Sequence, residues 1–97
     1  YPAVKNSAPE IKWVVIPKNK KIKKYDQQKL QFVASDSDNN IRKVDLFVND
    51  LKITELFVAP FTFNWNPQMD GNAKVTAVVY DFAGAKSKAE EITFIVQ

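Results

Sequence analysis

The feature that most limits the fold of this chain is an alternation of apolar and polar positions with a period of two. It is clearest between residues 30 and 35, where Leu30, Phe32 and Ala34 occupy every second position. Successive side chains of a β-strand point to opposite faces, so this pattern predicts a half-buried strand. No segment shows a convincing helical period. The sequence therefore predicts an all-β fold.

The same alternation recurs in further segments that are rich in β-branched or aromatic residues, which favour strands. These segments are 11–16, 42–48, 51–56, 61–65, 74–80 and 89–96. Clusters of Asn, Asp, Gly and Pro separate them and predict turns. Among these, Asn49 and Asp50 predict a two-residue hairpin, because Asn and Asp tolerate positive φ. About seven short strands at this spacing predict two packed antiparallel sheets.

A set of apolar side chains on these strands is expected to fill the space between the two sheets. Each such side chain contributes about 1.5 to 3 kcal/mol when it is fully buried. The predicted core residues are Phe32, Leu46, Phe63, Trp65, Val75, Ala77, Val79 and Phe94. With 97 residues the chain has room for one domain of this kind. We expect residues 1–9 to be a linker and residues 10–97 to form the domain.

The composition excludes most catalytic chemistry. The chain has no His and no Cys, so it cannot build Ser-His-Asp or Cys-His nucleophile systems or the common zinc sites. Its two glycines, Gly71 and Gly84, stand too far apart to form a phosphate-cradling loop. Carboxylate pairs lack a cleft in a small filled sandwich, and Ser87, which lies between two lysines, is expected on a solvated edge at the start of a strand. We expect a noncatalytic protein with no catalytic residues and no organic cofactor.

Segments spread over most of the chain carry a resemblance to a known family. They are 34–38 (ASDSD), 41–49 (IRKVDLFVN), 59–65 (APFTFNW), 71–80 (GNAKVTAVVY) and 81–85 (DFAGA). In these segments the chain resembles the bacterial immunoglobulin-like domains, including fibronectin-III-like modules, of secreted and cell-surface proteins. The resemblance implies an immunoglobulin-like β-sandwich and an extracellular or cell-surface accessory module. Such a module would act as a spacer and as an interaction surface for neighbouring domains of the same polypeptide.

Oxygen-bearing side chains in two predicted loops suggest a calcium site. In such a sandwich the loops would lie at the same end, and clusters of oxygen ligands are what Ca²⁺ requires. The alternative is that these side chains cap turns through nearby backbone groups. The candidate calcium ligands are Asp36, Asp38, Asn40 and Asp81.

A dense stretch of lysines lies between the first two predicted strands, and Tyr25 directly follows it. Such a stretch creates a local positive field that attracts polyanions. The alternative is a solvated edge on which lysines prevent strand pairing. The candidate residues for binding a polyanion or a glycan are Lys18, Lys20, Lys21, Lys23, Lys24 and Tyr25.

Carbohydrate binding requires exposed aromatic faces, for which Trp13, Tyr25, Phe57 and Tyr80 are candidates. The alternative function is therefore a module that binds carbohydrate or an anionic cell-wall polymer. Such a module could belong to a cell-wall enzyme such as a penicillin-binding protein or a glycoside hydrolase.

No nucleic-acid recognition motif is present. No apolar run approaches the roughly 20 residues of a transmembrane helix, so any export signal is expected outside this chain.

Overall fold

A computed structural model describes residues 8–36 and 41–97. This part of the chain forms nine strands and no helix. The strands are β1 (Glu10–Val15), β2 (Lys21–Ile22), β3 (Gln28–Ser35), β4 (Ile41–Val48), β5 (Leu51–Leu56), β6 (Phe61–Trp65), β7 (Gly71–Asp81), β8 (Lys86–Lys88) and β9 (Ile92–Val96).

The strands form two sheets, which confirms the predicted sandwich. One sheet has the order β1-β3-β6, and the other has the order β2-β9-β7-β4-β5, with β8 also pairing with β7. All of the pairs are antiparallel except β2 with β9, which is parallel. The arrangement places the β1-β3-β6 sheet over one face of the larger sheet.

Two of the strands were not predicted from the sequence, because they are too short to show a period. These are β2, with two residues, and β8, with three. The predicted strand 89–96 is shorter than expected, and β9 begins only at Ile92. The reason is that β7 changes partner: it pairs with β8 through residues 78–80 and with β9 through residues 71–75. Between these two partners, the Ala89 N–H donates to the Ala77 carbonyl of β7, and the Ala89 carbonyl accepts a hydrogen bond from the Thr76 hydroxyl.

The predicted core is buried between the sheets with one exception. Phe63 is only partly buried and packs against the edge of the core. The other seven predicted residues are buried together with Leu30, Val44 and several further apolar side chains. The alternation in the sequence therefore identified seven of the eight predicted core residues correctly.

The predicted hairpin between β4 and β5 is confirmed. Asn49 and Asp50 have φ of 53° and 67°, and Val48 pairs with Leu51 across the turn. The Asn49 side chain also accepts a hydrogen bond from the Lys74 N–H at 2.9 Å. The turn is thereby attached to β7 as well as to its own strands.

The register of the strands defines two ends of the sandwich. The upper end contains the start of β1, since Glu10 pairs with Ser35, and it also contains the end of β7, since Asp81 pairs with Ile41. The lower end contains the end of β9, since Val96 pairs with Gly71. β1 therefore begins at the upper end of the sandwich, and β9 finishes at the lower end.

Candidate functional site

The lysine stretch is held against the last strand of the domain. β2 pairs with the end of β9, so that Lys21 lies beside Ile95 and Ile22 beside Val96. Backbone hydrogen bonds extend this contact on both sides, including Ile95 N to Lys20 O at 2.7 Å and Lys24 N to Gln97 O at 2.8 Å. The buried Ile22 side chain anchors the segment in the core. The lysines therefore project from a fixed backbone at the edge of the larger sheet.

Three of these lysines line one shallow groove. The groove encloses about 350 Å³ and opens to solvent. Within the described residues 8–36 and 41–97, Lys18, Lys21 and Lys23 have no acidic side chain at ion-pair distance. The lining residues are Pro17, Lys18, Asn19, Lys21, Ile22, Lys23, Asp26 and Gln28.

The other two lysines of the stretch interact elsewhere. Lys24 Nζ lies 3.3 Å from an Asp70 carboxylate oxygen and 5.4 Å from the centroid of the Tyr25 ring. Lys20 Nζ lies 5.7 Å from the centroid of the Phe94 ring. Tyr25 adopts φ of 67°, and its N–H donates to the Pro67 carbonyl at 2.7 Å. The structure thus divides the six predicted residues into three groups: Lys18, Lys21 and Lys23 line the groove, Lys24 and Tyr25 contact the 66–70 loop, and Lys20 lies over Phe94.

The aromatic side chains proposed for carbohydrate binding do not form one platform. Trp13 is half-buried: its ring packs 4.2 Å from that of Phe32, and its Nε1–H donates to the Glu90 carbonyl at 2.7 Å. Tyr80 is also half-buried and lies beneath Lys43. Tyr25 and Phe57 are 66% and 61% exposed.

The two exposed rings lie at opposite ends of the sandwich. Phe57 follows the end of β5, where Leu56 pairs with Val44 in the upper half of the sheet. Tyr25 is bonded to the 66–70 loop at the lower end. A single glycan chain seated on one ring therefore does not reach the other ring along a continuous aromatic surface.

Two of the four candidate calcium ligands lie in the described part of the chain, and both are at the upper end. Asp36 follows β3, and Asp81 ends β7. Asp38 and Asn40 lie outside the described residues. The buried Asp81 carboxylate accepts a hydrogen bond from the Ala85 N–H at 2.8 Å, which is the turn-capping geometry named above as the alternative. Among residues 8–36 and 41–97, no cluster of three or more acidic side chains is placed to hold a metal ion. Calcium binding that includes Asp38 and Asn40 stays a prediction.

A cluster of four charged side chains that sequence reasoning did not identify lies on the outer face of the larger sheet. Lys43 Nζ lies 2.6 Å from Glu55 Oε1 and 3.3 Å from Asp45 Oδ1, and Lys52 Nζ lies 3.0 Å from the same Glu55 oxygen. Asp45 is only 3% exposed. The pairing of β4 with β5 sets Asp45 opposite Glu55 after a register shift between Leu46 and Phe47, and the sequence carried no signal for this shift.

A scan against known families matches residues 9–77 to the family described as "Bacterial Ig domain". The chain belongs to the bacterial Ig domain family. No curated protein sequence matches the chain.

Among solved structures, this Ig domain is similar to the fibronectin(III)-like modules of Clostridium thermocellum CbhA. The TM-score is 0.79 and the sequence identity is 25%, and the alignment covers 93% of this chain. The Ig domain spans about half the length of that protein chain, 47%. The family and the fold predicted from the sequence are thereby confirmed.

Within the Ig domain, the cluster of Lys43, Asp45, Lys52 and Glu55 is an ion-pair network that lacks the free groups needed for acid-base catalysis. Hydrogen bonds from Lys43 and then Lys52 lower the pKa of Glu55 to about 2, from an ordinary value of 4.5. The hydrogen bond with Glu55, together with Asp45, raises the pKa of Lys43. A carboxylate held ionised in this way is a poor proton donor at neutral pH. The network therefore acts on the stability of the β4–β5 pair.

Glu55→Gln should reduce the acid-sensitive part of the domain's stability. Because the pKa of Glu55 is lower in the folded state than in the unfolded state, its contribution is fully present above pH 4.5 and is lost as the pH falls towards 2. We expect the urea midpoint of the wild type to exceed that of Glu55→Gln at pH 7, and the two to converge near pH 2.

The matched control for this measurement is Glu10→Gln, which removes an exposed carboxylate outside the network. Its urea midpoint should follow that of the wild type from pH 7 to pH 2. A difference in urea midpoint between the wild type and Glu55→Gln that stays constant from pH 7 to pH 2 would contradict the role assigned to Glu55.

Proposed function

We propose that this Ig domain is a noncatalytic accessory module of a bacterial secreted or cell-surface protein. It acts as a spacer and as an interaction surface for neighbouring domains of the same polypeptide. The observation that carries the proposal is that β1 begins at one end of the sandwich and β9 finishes at the other. A module with this geometry separates whatever is joined to its two sides.

The size of the sheet supports the spacer role. β7 has 11 residues, and at 3.2 to 3.4 Å per residue it spans about 35 Å. The core between the sheets is continuous from Ile11 to Val96, so the two ends keep a fixed separation. The similar structure from Clostridium thermocellum contains such modules in the plural, and this chain covers about half of it.

An extracellular or cell-surface location is in line with the family and with the composition. The domain contains no cysteine, so its fold does not depend on the redox state of the compartment. In the described part of the chain, no helix has the length and apolar character needed to span a bilayer. The noncatalytic role is supported by the ion-paired state of Glu55 and Lys43 on the outer face of the larger sheet.

The proposal is tested by a deletion and a replacement in the gene that encodes this chain. One allele lacks residues 9–97, and a second allele carries an unrelated bacterial Ig domain of equal length in their place. We expect the deletion to impair the function of the neighbouring domains and the replacement to restore the part of that function that depends on spacing. Cell fractionation should find the product in the wall or the medium. A cytosolic product, or a deletion with no effect, would overturn the proposal.

A further inference from the structure

We propose that the groove lined by Lys18, Lys21 and Lys23 binds a linear polymer that carries phosphate groups. This site goes beyond the spacer role and does not depend on it. It narrows the predicted lysine stretch to three side chains and leaves out Lys20 and Lys24, which interact elsewhere.

The first step of the argument is charge. Lys18, Lys21 and Lys23 are exposed and share one depression, which contains a single carboxylate, that of Asp26. In the described residues no acid lies at ion-pair distance from the three ammonium groups, whereas Lys24, Lys43, Lys52, Lys74 and Lys88 each have an acidic partner. Like charges held close together favour an anion that bridges them.

The second step is rigidity. The backbone that carries Lys21 is paired with β9, and the Ile22 side chain between Lys21 and Lys23 is buried. Pro17 lines the start of the groove and restricts its own φ. A binding site on a fixed backbone loses less conformational entropy on binding than a flexible loop does.

The third step is the chemistry of the ligand. The groove offers lysines and no arginine. The lysine ammonium is a compact point charge that suits the tetrahedrally arranged oxygens of a phosphate, which several ammonium groups can approach from different sides, whereas arginine favours bidentate contact with a carboxylate or a phosphate. Asn19 and Gln28 add amide groups to the lining. The groove is shallow and open, so it fits a polymer that passes through it better than a small molecule that needs enclosure.

The test is a calorimetric titration that measures the affinity of the 97-residue chain for poly(glycerol phosphate), inorganic polyphosphate and polygalacturonate. We expect at least one phosphate polymer to bind, with an affinity that falls as salt screens the lysines. The two phosphate arms distinguish a phosphodiester polymer from polyphosphate. Polygalacturonate should bind more weakly than the tighter of the two phosphate polymers, and equal binding of this carboxylate polymer would overturn the phosphate assignment.

The triple variant K18Q/K21Q/K23Q should bind the phosphate polymer about tenfold more weakly, because three exposed charge contacts are lost together. The matched control K12Q/R42Q/K86Q removes the same number of positive charges from exposed positions outside the groove. Its affinity should stay within about twofold of the wild type. Equal losses in the two triple variants would show a net-charge effect and overturn the site.

Asp26→Asn gives a test in the opposite direction. Because Asp26 is the one acid in the groove lining, its neutralisation should tighten binding by about twofold. A second measurement follows the NMR chemical shifts of the backbone amides of the wild-type chain as the polymer is added. It needs no substitution, so the unfolding of a variant cannot affect its result. The shifts should concentrate at residues 17–28, and shifts confined to other surfaces, or no binding at low salt, would overturn the proposal.

Discussion

Phe94→Ala is expected to lower the free energy of unfolding by about 3 to 5 kcal/mol, the usual cost of removing a buried phenyl ring. Phe94 lies on β9 with no exposed surface, and its ring centroid is 5.9 Å from that of Trp65 on β6. It therefore contacts the opposite sheet directly. The loss combines the transfer energy of the ring with the cavity left between two sheets that cannot close together.

Urea unfolding followed by tryptophan fluorescence measures this loss. The control is Ile95→Ala, at the adjacent position on the same strand, where the side chain is 41% exposed and points to the other face. We expect the control to cost under about 1 kcal/mol, in proportion to its smaller buried area. Similar losses at residues 94 and 95 would mean that the inward face of β9 is assigned incorrectly.

The sequence predicted the fold well because inward and outward positions alternate along each long strand. On β9, Ile92, Phe94 and Val96 are buried, and Thr93 and Ile95 are exposed. The Asn49-Asp50 hairpin could also be predicted from the sequence, since its positive φ angles depend on those two residue types. Local signals therefore sufficed wherever a strand or turn is determined by its own residues.

The candidate site was less predictable because it depends on contacts between distant segments. The sequence showed the run of lysines, and the groove is lined by residues 17–28 alone, but the backbone that carries Lys21 is held in place by the pairing of β2 with β9, more than 70 residues further along the chain. Likewise, the contact of Lys43 with Glu55 follows from the register of β4 against β5. Short strands such as β2 carry no periodicity from which this pairing could be predicted.

Trp13 lies on the inward face of the first strand. The sequence interpretation placed it among exposed aromatic residues, whereas its ring lies on Phe32 and its indole N–H donates to the Glu90 carbonyl. The alternation holds along β1, because Ile11 is buried and Trp13 is partly buried, while Val14 is exposed. Trp13 therefore shares the inward face of Ile11 and packs against the core.

Trp13→Ala should consequently destabilise the domain by about 3 kcal/mol, at the lower end of the range for a core tryptophan because the ring is half-buried. Its indole links the two sheets, since β1 belongs to the smaller sheet and Glu90 precedes β9 of the larger one. Trp13→Phe keeps most of the ring packing but removes the hydrogen bond, and should cost about 1 kcal/mol. The urea midpoints of the two variants, with Trp65 as the fluorescent probe, measure these losses.

The control for Trp13 is Phe57→Ala, which truncates an aromatic ring that is 61% exposed and should change the stability by less than about 0.5 kcal/mol. A Trp13→Ala variant as stable as the wild type would return Trp13 to the exposed residues and restore it as a candidate for sugar stacking. A loss in Trp13→Phe equal to that in Trp13→Ala would assign the whole effect to the hydrogen bond with Glu90. The graded series that we expect follows if the ring and the indole N–H both hold the first strand against the second sheet.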